Sequence, residues 1–496
     1  MATSSQHDPI VSLPHSDTPH ATLERIPVAF AAGDGIGPEI AEAVRRILEA
    51  AQVPLELEPV TLGERAYLGG VSTGVPDDAW AAIRRSRALL KGPITTPQGG
   101  GYKSVNVTLR KTLGLFANVR PCESFACLPA SAQGIDLVVV RENEEDLYAG
   151  IEHRQTPETY QCLKLVTRAG CERIVRYAFA FARANGRSKV TCMTKDNIMK
   201  LTDGLFHRVF DEVAREYPEL GTEHQIIDIG AARLATRPQA YDVIVTLNLY
   251  GDILSDIAAE VSGSVGLGGS ANIGRRFAMF EAVHGSAPDI AGRDIANPSG
   301  LLQSAVALLV HVGLGSHAAT LRNAWLRTLE QGIHTADLRP GRPVGTLAFA
   351  DAVIANLGAL PERLKVASFP ENSRPIEVEV SQPAPQLRER SGIDVFVHHT
   401  GSVDTLAAQL LAAAGPALQL TMITNRGVKV WPAGHADTLC TDHWRCRFVA
   451  RDKGAVEFAA LHALVGRIAE QGGDVIKTEG LFQYDGQPGF SAGQGA

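Results

Sequence analysis

Apolar residues recur along this chain in two rhythms. Short runs dominated by aliphatic and β-branched residues, Ile26–Ala32, Ala88–Leu90, Ile135–Val140, Lys189–Met193 and Tyr241–Leu247, have the length of strands and little polar alternation, the pattern of strands buried on both faces. Between them apolar positions repeat at helical spacing, as Ile40, Ala43, Val44, Ile47 and Leu48 do after the first run. A further helix is expected to open near Asp252 after the last. Alternating strands and helices predict an α/β architecture with a largely parallel sheet. Thr159–Thr167 with the helix-like Cys171–Arg183 and Gly186 reads as an insert.

The rhythm fails in two places. Residues 1–24 mix Ser, Thr, Pro and His without periodicity and are expected to form a disordered lead. From Glu371 to Arg390 Pro, Gln and charge replace apolar spacing, which predicts a linker. Beyond it come a strand over Ile393–His399, a helix over Val403–Ala414, a hairpin of Leu418–Thr424 and Val428–Trp431, a strand over Trp444–Val449, a helix over Val456–Glu470 and a strand over Asp474–Tyr484. That order resembles a ferredoxin-like β-α-β-β-α-β unit.

Charge then narrows the partners. The 496 residues carry 47 Lys+Arg against 54 Asp+Glu, a formal net charge of −7, so no global basic field exists to draw nucleic acid or an anionic membrane. The first 25 residues lack a basic n-region and an apolar h-region, and no run approaches the ~20 apolar residues of a membrane span. A cytoplasmic protein is expected. Seven cysteines without paired C-x-x-C clusters read as free thiols of a reducing compartment. Cys440, His443 and Cys446 are close in sequence, but strand alternation would part their side chains, so no metal site is expected there.

Four strings carry candidate chemistry. Gly33-Asp34-Gly35-Ile36-Gly37-Pro38-Glu39 follows a strand and opens a helix as a dinucleotide fingerprint would, but Pro38 stands where the last small residue is needed and reads as a first-turn proline. Lys91 to Pro97 leads through Gly99-Gly100-Gly101 to Ser104, Asn106 and Arg110, with Arg120 and Arg141 downstream. Ser104 reads as an N-cap in isolation, while three arginines beside neutral hydrogen-bonding groups suit a ligand with several carboxylates. Asp252 and Asp256, four apart, share one helix face, either as cap and solvated acid or as ligands of a hard cation such as Mg²⁺ or Mn²⁺. Glu281 to Gly292 with Asn297-Pro298 mixes His, Asp, Gly and Pro in a manner that suits wrapping a nucleotide.

Taken in order, GDGIGPE, KGPITTP, SVNVTLR, RENEEDLYAG, TKDNIMK, LYGD with SDIA, ANIG and FEAVHGSAPDIAG resemble the isocitrate/isopropylmalate dehydrogenase family over residues 25–365. The C-terminal extension resembles that of the long bacterial, Thermus-type isocitrate dehydrogenases. The resemblance implies the family's two-domain α/β fold rather than a Rossmann fold. The large domain would comprise 25–115 and 263–365, the small domain 116–262 with a clasp insert at 150–188, followed by a linker at 366–390 and the ferredoxin-like domain at 391–496. It implies oxidative decarboxylation of isocitrate to 2-oxoglutarate and CO₂. Ser104 and Asn106 would meet the γ-carboxylate, and Arg110, Arg120 and Arg141 the others, with Lys91 and Asn197 as further substrate contacts. Tyr148 and Lys195 would be the acid/base residues and Asp228, Asp252 and Asp256 the ligands of Mg²⁺ or Mn²⁺. Lys195 and Asp228 would enter from the second subunit of a homodimer. Thr96, Glu281, His284, Gly285, Ser286, Ala287, Asp289, Ile290 and Asn297 would line the cofactor.

Two questions stay open within the resemblance. Asp289-Ile290 stands where NADP-using members usually carry Lys-Tyr, and two like charges ~4 Å apart cost roughly 4 kcal/mol at an effective dielectric of about 20, so NAD is the expected cofactor. Ala336 and Pro340 offer no phosphate ligand, while Arg339 could if turned inward. A homoisocitrate or tartrate dehydrogenase on the same scaffold is the near alternative. A non-catalytic regulatory subunit is the far one, disfavoured because Tyr148, Lys195 and all three aspartates are present. The C-terminal unit reads as an oligomerisation device or a ligand-binding module.

Overall fold

The computed structural model describes residues 25–97, 103–338, 343–452 and 454–494. The expected lead at 1–24, the glycines 99–101, Arg339 and Pro340 lie outside these residues.

Ten strands form one continuous sheet in the order Leu55–Pro59, Ile26–Ala31, Ala88–Lys91, Ala278–Ala282, Gly269–Ile273, Ala117–Glu123, Asp136–Glu142, Val243–Thr246, Lys189–Thr194 and Gly221–Ile226. The outer strands on each side pair in parallel. At the centre, Gly269–Ile273 and Ala117–Glu123 run antiparallel to each other and to their outer neighbours. This antiparallel centre separates the sheet from a Rossmann arrangement. The apolar runs are buried on both faces, as Leu137–Val140 and Val243–Val245 are, because helices cover each side of a parallel sheet.

The helix Gly37–Ala50 carries Pro38 in its first turn and buries Ile40, Ala43, Val44, Ile47 and Leu48. The GDGIG turn before it is structural. Gly33 and Gly35 hold φ of +81° and +57°, and a Cβ on them would stand 2.2 Å from the Pro93 carbonyl oxygen and 2.0 Å from that of Ser286. Only glycine lets the three loops meet this closely. The helix expected near Asp252 begins earlier, spanning Asn248–Ser262, because the Asp146 carboxylate accepts the Leu249 N–H and satisfies its open first turn.

Of the expected insert, only the hairpin Glu152–Arg154 with Tyr160–Cys162 stands apart. The helix Arg168–Ala184 is a correction to that reading: it buries Ile174, Val175, Ala178 and Phe179 in the main core. Its apolar stripe is too wide for a clasp on the surface. The linker is likewise anchored, since Asn372 donates to the Gly313 carbonyl and Ser381 donates twice to Glu172 of that helix.

The C-terminal unit has its own core around Val395, Leu410, Ile423, Phe448 and Leu464. Its antiparallel sheet orders Val428–Trp431, Leu418–Asn425, His443–Ala450, Arg388–His398, Asp474–Tyr484 and Gln487–Pro488, with the helices Val403–Ala413 and Phe458–Glu470 crossing between strands. Removing the two edge strands leaves the expected ferredoxin-like arrangement. Asp442 of this unit accepts from Thr156 and Thr159 beside the hairpin. No described helix is long and apolar enough to cross a membrane.

Trp325 is wholly buried, donates to Ser299 Oγ at 2.9 Å and meets Phe125 edge to face. Trp325→Ala is expected to destabilise the main core by about 3–5 kcal/mol. Differential scanning calorimetry should show the main transition moved down by several degrees, with the transition of the C-terminal unit unmoved.

Candidate active site

The floor of the site is a buried ion triplet. Glu281, on the strand Ala278–Ala282, lies in register with Lys91 on the adjacent parallel strand. Its Oε2 is 2.5 Å from Lys91 Nζ, and its Oε1 accepts from Arg110 at 2.9 Å and from Asn272 at 2.9 Å. Burial drives the Glu281 carboxyl upward, but Lys91 and Arg110 outweigh it and hold the group well below the usual carboxylate range. Lys91 is wholly enclosed, and that burial pushes its ammonium down against the pull of Glu281. Lys91 and Glu281, expected to face substrate and cofactor, lie in this floor paired with each other, and Glu281 also holds Arg110.

Above the floor, arginines from two central strands meet the helix Asn248–Ser262. Arg120 donates to Asn118 and Ser255 and reaches Asp252 at 3.3 Å and Asp256 at 3.4 Å. Arg141 pairs with Asp252, donates to Asn248 Oδ1 and lies over the Tyr148 ring at 4.9 Å. Its close approach needs Gly251, where a Cβ would stand 2.5 Å from Arg141 Cγ. Burial, with Arg120 and Arg110 nearby, lowers the Arg141 guanidinium to about 10.

Tyr148 donates its hydroxyl to Asp252 Oδ2 at 2.5 Å. Burial and the Asp252 charge raise its pKa against Arg141, so it stays protonated at neutral pH. Burial pushes Asp252 up, but Arg141 and Arg120 hold it below the ordinary range, whereas burial prevails at Asp256 and raises it. Two hard carboxylates one turn apart converge on one cationic group, the Arg120 guanidinium. A donor set of this kind fits Mg²⁺ or Mn²⁺.

Lys195 and Asp228 form a separate pair, Nζ to Oδ1 2.8 Å. Lys195 follows the strand Lys189–Thr194 and Asp228 sits in the first turn of Ile227–Thr236, two and three strands from Arg141. At about 4.8 Å per strand they lie roughly 10–14 Å away. Among the described residues no hydrogen bond or ion pair joins them to the Asp252 group. Asp228 is exposed, and Lys195 holds its carboxyl below the usual range. Asn197 is exposed on the same turn, and the large apolar side chains Ile198, Leu201, Ile229 and Ile253 are exposed along these elements.

In the remaining loops, Ser104 caps the helix Val105–Thr112 and accepts from Thr96 at 3.3 Å. Ser286 accepts from Thr95, and Asn297 bonds Asp337 and the Ser299 N–H, so both shape the loop from within. Ala287 holds φ +37°. Gly285 and Asp289 are exposed and Ile290 packs on the core. His284 Nδ1 donates to the Gly285 carbonyl at 3.0 Å, and burial lowers its pKa. Three buried polar atoms here have no partner: Asn106 Oδ1, Arg110 Nε and His284 Nε2. Buried polar atoms are rarely left so, and all three belong to residues the sequence reading placed at a ligand.

Sequence reasoning missed the support beneath these groups. Asn118, Asn143 and Asn272 form a buried amide cluster, and Asn248 holds Arg141. Asp196, His207 and His224 also gather. Their imidazoles stack 3.5 Å apart at 15°, whereas two rings on one tetrahedral metal at about 2.1 Å would have centroids roughly 5 Å apart.

The chain belongs to the isocitrate/isopropylmalate dehydrogenase family, which residues 27–353 match. Residues 388–496 match the C-terminal domain of bacterial isocitrate dehydrogenase. It is 49% identical to a Rickettsia bellii protein named isocitrate dehydrogenase [NADP], covering 95% of this chain and 99% of that one. It is 44% identical to a Thermus thermophilus protein of the same name, covering 93% and 94%. The solved TT0538 protein of Thermus thermophilus superposes with a TM-score of 0.91 at 44% identity, covering 95% and 96%. These names overturn the expectation of NAD. That expectation rested on one carboxylate, and Asp289 is exposed, where the dielectric of water cuts a like-charge cost at ~4 Å to about 1 kcal/mol.

Glu142, buried beside Arg141, accepts the backbone N–H groups of Glu144 and Glu145. Burial outweighs those bonds and raises its carboxyl to about 7. The folded state thus holds a proton that the unfolded chain has released, so stability falls as pH rises from about 4.5 to about 7, by about 3 kcal/mol. Glu142→Gln is expected to remove this fall. Melting temperature against pH should be flatter in the variant over that window, and an unchanged slope would show that Glu142 ionises normally.

Proposed function

We propose that this chain is an NADP-dependent isocitrate dehydrogenase that oxidises and decarboxylates isocitrate to 2-oxoglutarate and CO₂ with the help of Mg²⁺ or Mn²⁺. The observation that carries the reading is the set of three arginines converging beside Ser104 and Asn106, with Asn106 Oδ1 and Arg110 Nε buried and unpartnered. Arg110, Arg120 and Arg141 bind carboxylates through paired N–H groups. Ser104 and Asn106 meet the third carboxylate. The ion triplet below fixes Arg110, and Asn248 fixes Arg141, so the substrate is oriented by side chains that cannot swing.

Asp252 and Asp256, with Asp228 from a second copy of the chain, would hold the divalent cation, which supplies Lewis-acid polarisation of the substrate hydroxyl and adjacent carboxylate. Lys195 of the second copy takes the hydroxyl proton as hydride leaves C2. Tyr148, kept protonated by burial and Asp252, returns a proton to the carbon that CO₂ has left. The loop from His284 to Asn297, with Thr96, lines the dinucleotide. The Lys195–Asp228 pair, with Asp228 exposed, and the exposed apolar Ile198, Leu201, Ile229 and Ile253 support a homodimer with shared sites, in which substrate lies between the domains 25–115 with 263–365 and 116–262. A cytoplasmic location completes the reading.

Initial rates with isocitrate are expected to require Mg²⁺ or Mn²⁺, to be at least tenfold higher in kcat/KM with NADP than with NAD, and to exceed those with isopropylmalate a hundredfold. Absence of turnover with isocitrate and NADP in the presence of metal would defeat the reading.

Shared sites have their own test. Lys195→Met and Arg110→Ala homodimers are expected to be inactive, and subunit exchange between them should restore turnover, because one site of each heterodimer draws both groups from intact chains. Verified heterodimers without turnover would mean each chain completes its own site.

A further inference from the structure

The two halves of this machinery are joined within one chain by a largely buried cation, 12% exposed, that the mechanism does not use. Lys164 lies two residues beyond the hairpin strand Tyr160–Cys162 and turns inward. Its Nζ is 2.6 Å from Asp203 Oδ1 and 3.4 Å from Asp146 Oδ1, and stands 4.8 Å from the centroid of the Tyr250 ring. Both carboxylates are sealed from solvent, at 0% and 1% exposure. An ammonium taken out of water in this way persists only where opposite charge compensates it.

Each carboxylate has a second partner, on a turn or helix that carries a site residue. Asp203 Oδ2 accepts the backbone N–H of Lys195 at 2.7 Å and the hydroxyl of Tyr250 at 3.1 Å. Asp146 Oδ2 accepts the Leu249 N–H at 2.8 Å, in the first turn of the helix that carries Asp252 and Asp256. Asp146 also begins the short turn Leu147–Ala149 that presents Tyr148. Its backbone sits at φ +65°, ψ −150°, a region essentially reserved for glycine. An aspartate is held there although glycine would relax the backbone, which points to a requirement for the carboxylate. The N–H of Asp146 donates to the Leu165 carbonyl at 2.8 Å, so the Lys164 segment is bound to this turn by main chain as well as by charge.

We propose that Lys164, Asp146 and Asp203 are positioning residues that fix the Lys195 turn relative to the Tyr148 turn and the Asp252 helix. This rests on the reading of Tyr148 and Lys195 as the proton-transfer groups. In a dimer with shared sites those two groups of one chain serve different sites, so the network holds each site in register with the group its chain lends to the other. Lys164 touches none of Arg110, Arg120 and Arg141, which hold the substrate. Its loss therefore acts on turnover and spares binding.

Steady-state kinetics of the full-length protein with isocitrate, NADP and Mg²⁺ provide the test. Lys164→Met is expected to lower kcat at least 30-fold with KM for isocitrate within threefold, and Lys164→Arg, which restores the charge, to recover at least tenfold of that loss. Lys164→Met with Asp203→Leu removes the bonded ion pair together. It should melt closer to wild type than Lys164→Met does, because one uncompensated buried charge is gone, and should keep the low kcat. Recovery of kcat together with melting temperature in the double variant, or kcat and KM moving in proportion, would make the network a merely structural element and overturn the proposal. If Lys164→Met does not fold, Tyr250→Phe decides: a threefold or larger fall in kcat at constant KM supports the network, and unchanged kcat overturns it. A measurement independent of turnover separates this proposal from the functional reading. The rate at which trinitrobenzenesulfonate labels Lys195, followed by peptide mass spectrometry, should rise at least fivefold in Lys164→Met, or in Tyr250→Phe if that protein does not fold, and an unchanged rate overturns the network whether or not the wild type turns over isocitrate.

Discussion

The site depends first on one buried anion. Glu281, on a strand of the large sheet, stands between Lys91 of the adjacent strand and Arg110 of the helix Val105–Thr112, with Asn272 as its remaining donor. Arg110 cannot be sealed beneath a ligand without an anion to pair with, because removing a guanidinium from water is costly unless charge and hydrogen bonds replace the lost hydration. A single carboxylate cannot neutralise two cations. The triplet therefore carries a net positive charge into the floor, and Arg110 still has Nε unspent. That residual charge and the open donor are the features a polycarboxylate would complete.

The same logic runs upward through the site. Arg120 and Arg141 are also buried, and Asp252 serves both of them. The arginines outnumber the carboxylates deepest in the site, so Arg141 and Arg120 hold Asp252 below its ordinary range against burial, while burial together with the neighbouring arginines brings the Arg141 guanidinium to about 10. At Tyr148 the balance falls the other way: burial and the Asp252 charge keep the phenol protonated against the pull of Arg141, which lies on its ring. The antiparallel centre of the sheet makes this possible, since Asn118 faces Arg141 in register and brings Arg120, two residues along, to the same cluster.

Much of this was legible in the residues themselves. The apolar runs marked five of the sheet strands, because burial on both faces leaves an unbroken apolar signal, and the helix after GDGIG followed from spacing alone. The ordered motifs brought Arg110, Arg120, Arg141, Tyr148, Asp252 and Asp256 to one region. What stayed hidden has two physical causes. Lys91, Glu281 and the asparagines act through partners distant in sequence, and no local pattern distinguishes a charge that faces a ligand from one that faces another buried charge. The start of the Asp252 helix depended on Asp146, about a hundred residues earlier in the chain. The cofactor expectation failed for a different reason: the charge of Asp289 acts through a dielectric set by its exposure, which the residue type alone does not carry.

Exposure also sorts the ion pairs by what they are able to do. The Glu281 triplet and the Lys164 pair are enclosed, and breaking either strands a charge in a medium that cannot solvate it. Such pairs keep their partners through a catalytic cycle and behave as scaffold. Lys195 with Asp228 is the opposite case: Asp228 is exposed and Lys195 half-buried, so water and salt can replace the bond between them at little cost. A pair of that kind is free to exchange one bond for another when a second surface arrives. The side chains of the site that remain available for new partners are thus those at its edge, along elements where Ile198, Ile229 and Ile253 are also left uncovered, while the side chains that must not move are those the sheet has closed over.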